Sequence, residues 1–307
     1  MSYPEACGAL GLMPRDVRPS FSAGGKLPRH SGTRPALSRH IAAAAPVSPA
    51  PATLPPARWR EAAAAFLAEC QRGLETSVEA VLALTGRYLT PDTARACGLG
   101  WNPRDRYEFR EAWGLEPAAG RDKMLLPRGL LIATRRRSGV VGLTVRCPDD
   151  RPEGRPKYWQ VSGSANLPFV AGRSGLPVVL LESALDACLV WAESRGQCAA
   201  VGFMGSTKPP DADTAVFIAA APVIIGSPDN DDAGRAAWQR WNRAFPAAVC
   251  CPAVGAKDLG DMHRAALTPP LREDIPTVGE WFAAALQIAA RSRGNAPVSV
   301  EMEKDTP

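Results

Sequence analysis

The sequence is poor in residues that hold zinc. Its 307 residues contain three histidines and eight cysteines, and no two cysteines have the Cys-x-x-Cys spacing that is typical of zinc sites. The cysteines also form no regular framework, which excludes a small disulfide-stabilised scaffold. We therefore expect no zinc in this chain and a set of scattered, reduced thiols, as in a cytoplasmic protein.

Long apolar runs and glycine-rich phosphate loops are also missing. The longest apolar run, from Ala215 to Ile225, is about half the length of a membrane span and contains Pro222. We expect neither a membrane anchor nor a secretory signal, and we expect a cytoplasmic location. No G-x-G-x-x-G motif follows a predicted strand. The one Gly-Lys pair, Gly25-Lys26, is followed by leucine, where a P-loop has Ser or Thr. These absences argue against a dinucleotide-binding fold and a P-loop.

The net charge of +5 conceals an uneven distribution of charge. Residues 1–60 hold eight Lys/Arg and two Asp/Glu, so the remaining residues have 28 Lys/Arg and 29 Asp/Glu, a net of −1. Within that remainder, residues 121–157 hold ten Lys/Arg and four acids, whereas residues 182–261 hold ten acids and six Lys/Arg. A basic segment therefore precedes an acidic one, and each can attract a different part of a ligand.

Proline is concentrated near the N-terminus. Residues 13–57 contain nine of the 30 prolines, with Ala, Ser and Arg and without an apolar period. Burial cannot offset the entropy of ordering such a segment. We predict a disordered basic linker at 13–57, preceded by a short helix at 1–12.

Helical patterns and a hairpin follow the linker. Apolar residues recur three and four apart in Trp59–Leu74 and Ser77–Leu84, and Thr90-Pro91-Asp92 has the cap residue and proline of a third helix start. The run LLPRGLLIATRRRSGVVGLTV predicts a β-hairpin with its turn at Ser138-Gly139. We assign these elements to a small mixed α+β basic subdomain at 58–172.

Residues 177–253 alternate short apolar runs with helical stretches. The runs PVVLL, CAAVGFM, PVIIG and AVCCP predict four parallel strands that are buried on both faces and joined by helices. The predicted fold class is therefore α/β, with a parallel-sheet domain at 173–265. A C-terminal helix and a polar tail are predicted at 266–307.

Carboxylates follow the predicted strands. Glu182 ends the first strand, Asp186 lies one helical turn later, Asp229 and Asp231 follow the third strand, and Asp258 follows the fourth. The carboxyl ends of parallel strands share one edge of the sheet, where repelling carboxylates favour a hard divalent cation such as Mg²⁺. The alternative for the Asp-Asn-Asp-Asp segment is a polar turn that caps the next helix.

The order of these motifs resembles a known family. A strand ending in Glu182, followed by ESALDA, Asp229-Asn230-Asp231-Asp232-Ala233-Gly234 and Lys257-Asp258, resembles the Toprim domain of primases, topoisomerases and some nucleases. Upstream, YLTPDTARACGLGWNP, LLPRGLL, VVGLTVR and Pro156-Lys157-Tyr158 before LPFVAG resemble the catalytic core of DnaG-type primases. The resemblance covers approximately residues 85–265.

Two departures from that family stand out. SYPEACGALGL at the start resembles the last helix of a primase zinc-binding domain, but the Cys and His ligands that should precede it are missing. In the third acidic motif the family often has a second acid two residues after the first, where this chain has Gly260. The compact form suggests a phage or mobile-element enzyme.

The resemblance assigns roles to individual residues. It makes Glu182 the acid/base or metal-linked carboxylate and Asp229 and Asp231 the metal-binding pair, with Asp186 and Asp258 as supporting acids. It implies that Arg146, Lys157, Tyr158 and Lys257 contact the template or the incoming triphosphate. The run Arg135-Arg136-Arg137 is either part of the same groove or a solvated hairpin edge.

The resemblance also implies an activity. We expect a DNA primase-like nucleotidyltransferase that uses Mg²⁺ or Mn²⁺, NTPs and a single-stranded DNA template to make short RNA primers, with a replicative helicase as a further partner. One alternative is a Toprim nuclease, which needs no NTP. Another is a non-catalytic remnant of a primase that binds nucleic acid in a salt-sensitive manner.

Overall fold

The computed structural model describes residues 52–118, 120–205 and 209–292. The helix predicted at 1–12, most of the predicted linker and the tail after residue 292 lie outside these residues. Within the described residues, no helix is both long enough and apolar enough to cross a membrane.

The described residues form helices and strands in the following order. They are α1 (Ala57–Arg72), α2 (Val78–Thr85), α3 (Pro91–Ala96), β1 (Leu99–Asn102), β2 (Arg106–Phe109), a short 3-10 helix (Glu111–Trp113), β3 (Lys123–Leu126), β4 (Gly129–Arg136), β5 (Gly139–Arg146), β6 (Tyr158–Gln160), β7 (Phe169–Ala171), β8 (Val178–Leu181), α4 (Ala184–Glu193), β9 (Ala199–Gly202), α5 (Ala212–Ala219), β10 (Ile224–Gly226), α6 (Asp232–Ala244), β11 (Val249–Cys250), α7 (Leu259–Leu267) and α8 (Val278–Ser292).

The first three helices begin where the sequence predicts. Ser77 caps α2 by accepting a hydrogen bond from the backbone N–H of Ala80, and Thr90 caps α3 with Pro91 as its first residue. In α1, apolar residues at helical spacing, from Trp59 to Cys70, are buried. This face packs on β1 and β5, so α1 stabilises the sheet that follows it.

The predicted hairpin lies at the centre of a four-stranded antiparallel sheet. The strand order is β1-β4-β5-β6, and β4 and β5 pair from Leu130 with Arg146 to Arg136 with Gly139. The register shifts between Thr134 and Arg135, which marks a β-bulge near the end of β4. The hairpin is confirmed, whereas β1, β6 and the separate β2-β3 pair have no counterpart in the sequence-based prediction.

The second sheet confirms the predicted α/β fold class. Its order is β11-β10-β8-β9-β7, and the four strands predicted from the apolar runs pair in parallel. The edge strand β7, from Phe169 to Ala171, is antiparallel to β9. The sheet therefore includes a strand that the predicted boundary between residues 172 and 173 leaves in the preceding subdomain.

Helices cover both faces of this parallel sheet. Along β8, Val179 and Leu181 pack in a core with α4, α7 and α8, whereas Val178 and Leu180 pack in a separate core with α5 and α6. Alternate residues of a strand point to opposite faces, so a continuous apolar run is what two covered faces require. The same arrangement leaves the carboxyl ends of the strands free to carry polar side chains.

A carboxylate-lined cavity at the edge of the parallel sheet

The ends of two neighbouring strands bring Glu182 and Asp229 together. β8 and β10 pair in parallel, with Leu180 opposite Gly226, and both chains turn away from the sheet a few residues later. The backbone N–H of Asp229 donates a hydrogen bond of 3.2 Å to Glu182 Oε1. These two predicted carboxylates therefore lie at one edge of the sheet, as the strand order requires.

A cavity of about 710 Å³ opens at this edge. Its lining includes seven of the nine residues that the resemblance assigned to the site: Glu182, Asp186, Asp229, Asp258, Lys257, Lys157 and Tyr158. Asp231 does not line the cavity, but its carboxylate lies beside Lys257. The cavity thus joins the acidic sheet edge to residues of β5 and β6 in the other sheet.

Two of the candidate acids are also helix caps. Asp231 Oδ1 accepts a 2.8 Å hydrogen bond from the N–H of Gly234 at the start of α6, and Asp258 Oδ1 accepts a 2.7 Å hydrogen bond from the N–H of Asp261 at the start of α7. The capping interpretation of this segment is correct for Asp231. It does not exclude a role in binding, because the second carboxylate oxygen of each cap is free of that bond.

Gly234 allows the loop and the helix to approach each other. A Cβ atom at this position would lie 2.0 Å from the carbonyl oxygen of Asp229. Side-chain atoms cannot come that close to a backbone oxygen, so any larger residue would push Asp229 away from the sheet edge. The glycine of the Asp-Asn-Asp-Asp-Ala-Gly segment is therefore needed to place the carboxylate.

Asn230 fixes the same loop from the other side. Its amide nitrogen donates to the carbonyl oxygens of Ala253 and Ala256, at 2.8 and 2.6 Å, and its backbone N–H donates to the carbonyl oxygen of Lys257. These bonds tie the loop after β10 to the loop after β11. Sequence reasoning gave Asn230 no role, although an asparagine between two aspartates is a common turn signal.

The carboxylates of the cavity are hard to ionise together. Burial raises the pKa of Asp229 from 3.8 to about 6, with further contributions from the charges of Glu182 and Asp258. Burial also raises the pKa of Glu182 and, together with the charge of Asp258, that of Asp186. The site therefore concentrates negative charge that a cation can neutralise.

Lys257 provides part of that neutralisation. Its ammonium nitrogen lies 3.6 Å from Asp229 Oδ2 and 3.3 Å from Asp231 Oδ2. Asp231 differs from Asp229 because the hydrogen bond from Gly234, aided by Lys257, holds its pKa below the usual range. Lys257 therefore bridges the two carboxylates of the predicted metal-binding pair.

The donor set matches a hard divalent cation. Glu182, Asp229 and Asp258 offer only oxygen ligands, the type that Mg²⁺ and Mn²⁺ prefer. Among the described residues, no three such side chains are already gathered at a geometry that would hold a metal ion. The chemistry of the residues fits the cation, and a shift of side chains is needed to close a ligand set.

The position of Asp186 explains why residue 260 is a glycine. A Cβ atom at position 260 would lie 2.8 Å from Asp186 Oδ1, so the buried carboxylate occupies the space that a second acid at position 260 would need. Asp186 lies in the first turn of α4, whose N-cap is Ser183. The third acidic motif of this chain therefore consists of Asp258 with Asp186 beside it.

The opposite wall of the cavity is basic and polar. Tyr158 and Gln160 line the cavity from β6, as Thr144 does from β5, and Lys157 directly precedes β6. Trp159 points the other way and packs against the core under α1. The wall therefore offers an ammonium group, a phenol and neutral hydrogen-bonding groups to a ligand that reaches the acidic edge.

Arg146 lies outside the cavity lining. It shares the face of β5 that carries Thr144, but it lies two residues further along the strand, a separation of about 7 Å. Its direct cross-strand partner is Tyr158, and its Nε atom is buried without a hydrogen-bond partner in the described part of the chain. The structure therefore places Arg146 beside Tyr158, on the neighbouring strand, and not in the cavity lining.

Three further charged residues line the cavity, and the sequence drew attention only to Asp261, as another carboxylate after the fourth strand. They are Arg87 after α2, and Asp261 and Arg264 on α7. Arg264 forms a 3.0 Å ion pair with Asp261, and Arg87 opposes the rise in the pKa of Asp186. The i, i+3 spacing of Asp261 and Arg264 is visible in the sequence, whereas the position of Arg87 depends on how α2 packs.

Comparison with known proteins gives a structural likeness only. No protein-family model matches the chain, and no curated protein matches it significantly in sequence. The RNA polymerase domain of Mycobacterium tuberculosis primase DnaG is 21% identical, with a TM-score of 0.57, 76% of this chain covered and 86% of that chain. A DNA primase domain from Pseudomonas aeruginosa is 17% identical, with a TM-score of 0.52 and coverages of 78% and 97%.

A third similar structure contains nucleic acid. It is the DnaG primase catalytic domain bound to single-stranded DNA, 16% identical, with a TM-score of 0.51 and coverages of 67% and 76%. At these identities the likeness establishes the fold and nothing finer. The chain has the fold of the catalytic core of DnaG-type primases, in agreement with the resemblance of its motifs.

Proposed function

We propose that this chain is a metal-dependent nucleotidyltransferase of the primase type, which joins ribonucleotides into short RNA primers on single-stranded DNA. The observation that carries the proposal is one cavity that is lined by carboxylates at the edge of the parallel sheet and by Lys157, Tyr158 and neutral polar groups of the antiparallel sheet. Glu182, Asp229 and Asp258 line one wall, and Lys157 and Tyr158 line the other. The first wall suits a divalent cation and the second suits a phosphate chain.

The fold supports this choice over other phosphate chemistry. The parallel sheet with acids at its carboxyl edge is joined to a second, antiparallel sheet that supplies the basic wall. The likeness to primase cores covers 67% or more of the chain, and one of these cores has single-stranded DNA bound. A nuclease site built on the parallel sheet alone would not require the second sheet.

The carboxylates divide into two roles. Asp229 and Asp231, with Asp186 and Asp258 as supporting acids, are proposed to hold the divalent cation. Glu182 lies within hydrogen-bonding distance of the Asp229 backbone and has a raised pKa. We assign Glu182 to the primer end, where it accepts the proton that the 3′-hydroxyl releases or binds the cation that lowers the pKa of this hydroxyl.

The basic wall is proposed to orient the substrates. Lys157 binds the triphosphate or the template backbone through its ammonium group, and Tyr158 lines the cavity next to it. Arg146 acts on the bound substrates indirectly, by supporting Tyr158 from the neighbouring strand. Lys257 holds Asp229 and Asp231 as ionised carboxylates near each other until the substrate complex forms.

These positions are consistent with an in-line phosphoryl transfer. When bound, Mg²⁺ or Mn²⁺ would neutralise the charge of the triphosphate and lower the pKa of the attacking hydroxyl. The 3′-oxygen then forms a bond to the α-phosphorus of the incoming NTP, the bond to the β-phosphate oxygen breaks, and pyrophosphate leaves. The chain's part is to hold both reactants in line within one cavity.

The reaction class is tested by product analysis. The purified chain is incubated with single-stranded DNA, four NTPs of which one carries an α-phosphate label, and MgCl₂ or MnCl₂. We expect labelled oligoribonucleotides that require template, NTPs and divalent cation. Asp229→Asn should abolish them, whereas Asp232→Asn should not, because the Asp232 side chain is 97% exposed in the same segment.

The same incubations distinguish the proposal from a nuclease and from a binding module without activity. Shortening of the DNA without any NTP requirement would show a Toprim nuclease and would contradict the proposal. Salt-sensitive DNA binding without turnover in either buffer would show a binding module and would also contradict it.

A further inference from the structure

A second cavity, of about 660 Å³, lies across strand β4 from the carboxylate-lined cavity. Thr134 lines the first cavity, whereas its neighbours Ala133 and Arg135 line the second. Before the β-bulge, successive residues of β4 point to opposite faces, so Ala133 and Thr134 place the two cavities on opposite sides of this strand. No role has yet been given to this second cavity.

Three consecutive arginines, Arg135, Arg136 and Arg137, line one side of the second cavity. Only the middle one has an acidic partner: Arg136 forms a 2.9 Å ion pair with Asp211, and both side chains are at least nine-tenths buried. Arg135 and Arg137 are exposed, and neither forms an ion pair with a carboxylate of the described residues. Two guanidinium groups therefore face the cavity with their charge uncompensated.

The Arg135 side chain passes close to the backbone of Gly98. Its guanidinium lies over Gly98 after α3, where a Cβ atom would be 3.3 Å from Cζ of Arg135. The β-bulge between Thr134 and Arg135 redirects the end of β4. A guanidinium without a counter-charge can bind a phosphate group, because Arg offers several N–H donors in one plane.

The rest of the cavity provides flat apolar surface and small polar groups. Trp191 of α4 and Phe217 of α5 are half-buried aromatic side chains in its lining, and Ser174 lies in the glycine-rich turn after β7. Asp213 is the acid of this lining. Aromatic walls next to guanidinium groups match a ligand that combines a planar base with phosphates.

We propose that the second cavity binds a phosphorylated nucleoside, either a free nucleotide or one residue of a strand. The phosphates contact Arg135 and Arg137, and the base lies against Trp191 and Phe217. This binding needs no divalent cation, because the positive charge is supplied by the chain itself. The proposal does not depend on the reaction assigned to the first cavity.

The experiment measures binding in EDTA, where no cation can load the carboxylate-lined cavity. Two probes are used separately at low ionic strength: GTP carrying a methylanthraniloyl fluorophore, and a fluorescein-labelled oligothymidylate of about 12 residues. We expect at least one probe to bind, and the double variant Arg135→Ser/Arg137→Ser to weaken it by about tenfold or more. Binding of GTP identifies a free nucleotide, and binding of the oligonucleotide alone identifies a strand.

The matched control removes the same charge elsewhere. Arg243→Ser/Arg291→Ser changes two exposed arginines that line neither cavity, and it should change affinity by less than about twofold. Val216→Glu places a carboxylate at the cavity mouth, where the side chain is 71% exposed, and it should weaken binding without unfolding the chain. Absence of binding by both probes, or equal weakening by the two double variants, would overturn the proposal and leave the arginines as a solvated hairpin edge.

Discussion

The backbone N–H of Asp229 donates a hydrogen bond to the Glu182 carboxylate at 3.2 Å, and this bond connects the ends of two adjacent parallel strands. It fixes where Glu182 lies relative to the loop that carries the second acid. The partial charge of the N–H also opposes the rise in the pKa of Glu182 that burial causes. A carboxylate that is half-buried, ionisable and held in place can serve repeatedly in a reaction, so this contact is central to the proposed site.

Lys257 competes with any cation that binds Asp229 and Asp231. Its ammonium group lies within 3.6 Å of both carboxylates, and its side chain is 56% exposed, so its interaction with them is that of a surface ion pair. Lys257→Met should therefore tighten Mn²⁺ binding by about 2- to 5-fold, as measured by electron paramagnetic resonance of the free ion. Lys123→Met on the distant β2-β3 pair is the control, and unchanged or weaker binding in Lys257→Met would contradict the competition.

Asp229 makes the stability of the metal-free protein depend on pH. Its folded-state pKa of about 6 exceeds the ordinary value of 3.8, so its stabilising contribution is complete below about pH 4 and is lost as pH rises through about 6. In EDTA near pH 7.5, the free energy of unfolding of Asp229→Asn should be about 2 kcal/mol higher than that of the unsubstituted chain. Near pH 4 the two free energies should be equal.

Urea titrations at both pH values measure this difference. Asp232→Asn should match the unsubstituted chain throughout, because its side chain is exposed. Addition of Mg²⁺ near pH 7.5 should reverse the order, since the cation binds the folded chain that retains Asp229. Equal stability of Asp229→Asn and the unsubstituted chain in EDTA at both pH values would contradict the account.

Gly234→Ala should damage both stability and the site. The new methyl group would meet the Asp229 carbonyl oxygen at 2.0 Å, so the loop or the helix must move, at a cost of about 1–3 kcal/mol. Thermal unfolding measures that cost. Gly279→Ala is the control, because a Cβ atom there comes no closer than 3.3 Å to another residue. A stability equal to that of the control would show that the approach does not constrain the loop.

The ion pair between Arg136 and Asp211 joins β4 to the start of α5. Both side chains are nearly buried, so Arg136→Met leaves an unpaired carboxylate and should cost about 3 kcal/mol or more. Asp211→Asn retains a side-chain oxygen for the helix cap, and adding it to Arg136→Met should restore part of the loss. Chemical denaturation of the single and double variants measures the coupling, and strictly additive changes would contradict it.

The sequence predicts the strands and acids well because their signals are local. Continuous apolar runs end directly before Glu182 and three residues before Asp229, at Gly226, and parallel pairing then brings these acids to one edge of the sheet. Strand β7 was not predicted because its three residues, Phe169–Ala171, are too few to show a strand periodicity. Its place in the second sheet is decided by its pairing with β9.

Other parts of the site depend on tertiary packing. Arg87 reaches the cavity only because of how α2 packs, and the position of Arg146 is set by its pairing with Tyr158 across β5 and β6. The alternation of β4, combined with its bulge, places the arginine run at a different cavity from Lys157. Composition alone could not separate these two basic surfaces.

The most direct test of the account is the rate of primer synthesis by Glu182→Gln. Gln can still accept the hydrogen bond from Asp229, so the fold and its thermal unfolding should be unchanged, while the carboxylate charge and proton acceptor are lost. The rate of labelled RNA formation on single-stranded DNA should fall by about 100-fold or more, whereas Glu61→Gln on the exposed face of α1 should retain full activity. A rate for Glu182→Gln within about twofold of the unsubstituted chain would contradict the central claim that this sheet edge is the catalytic site.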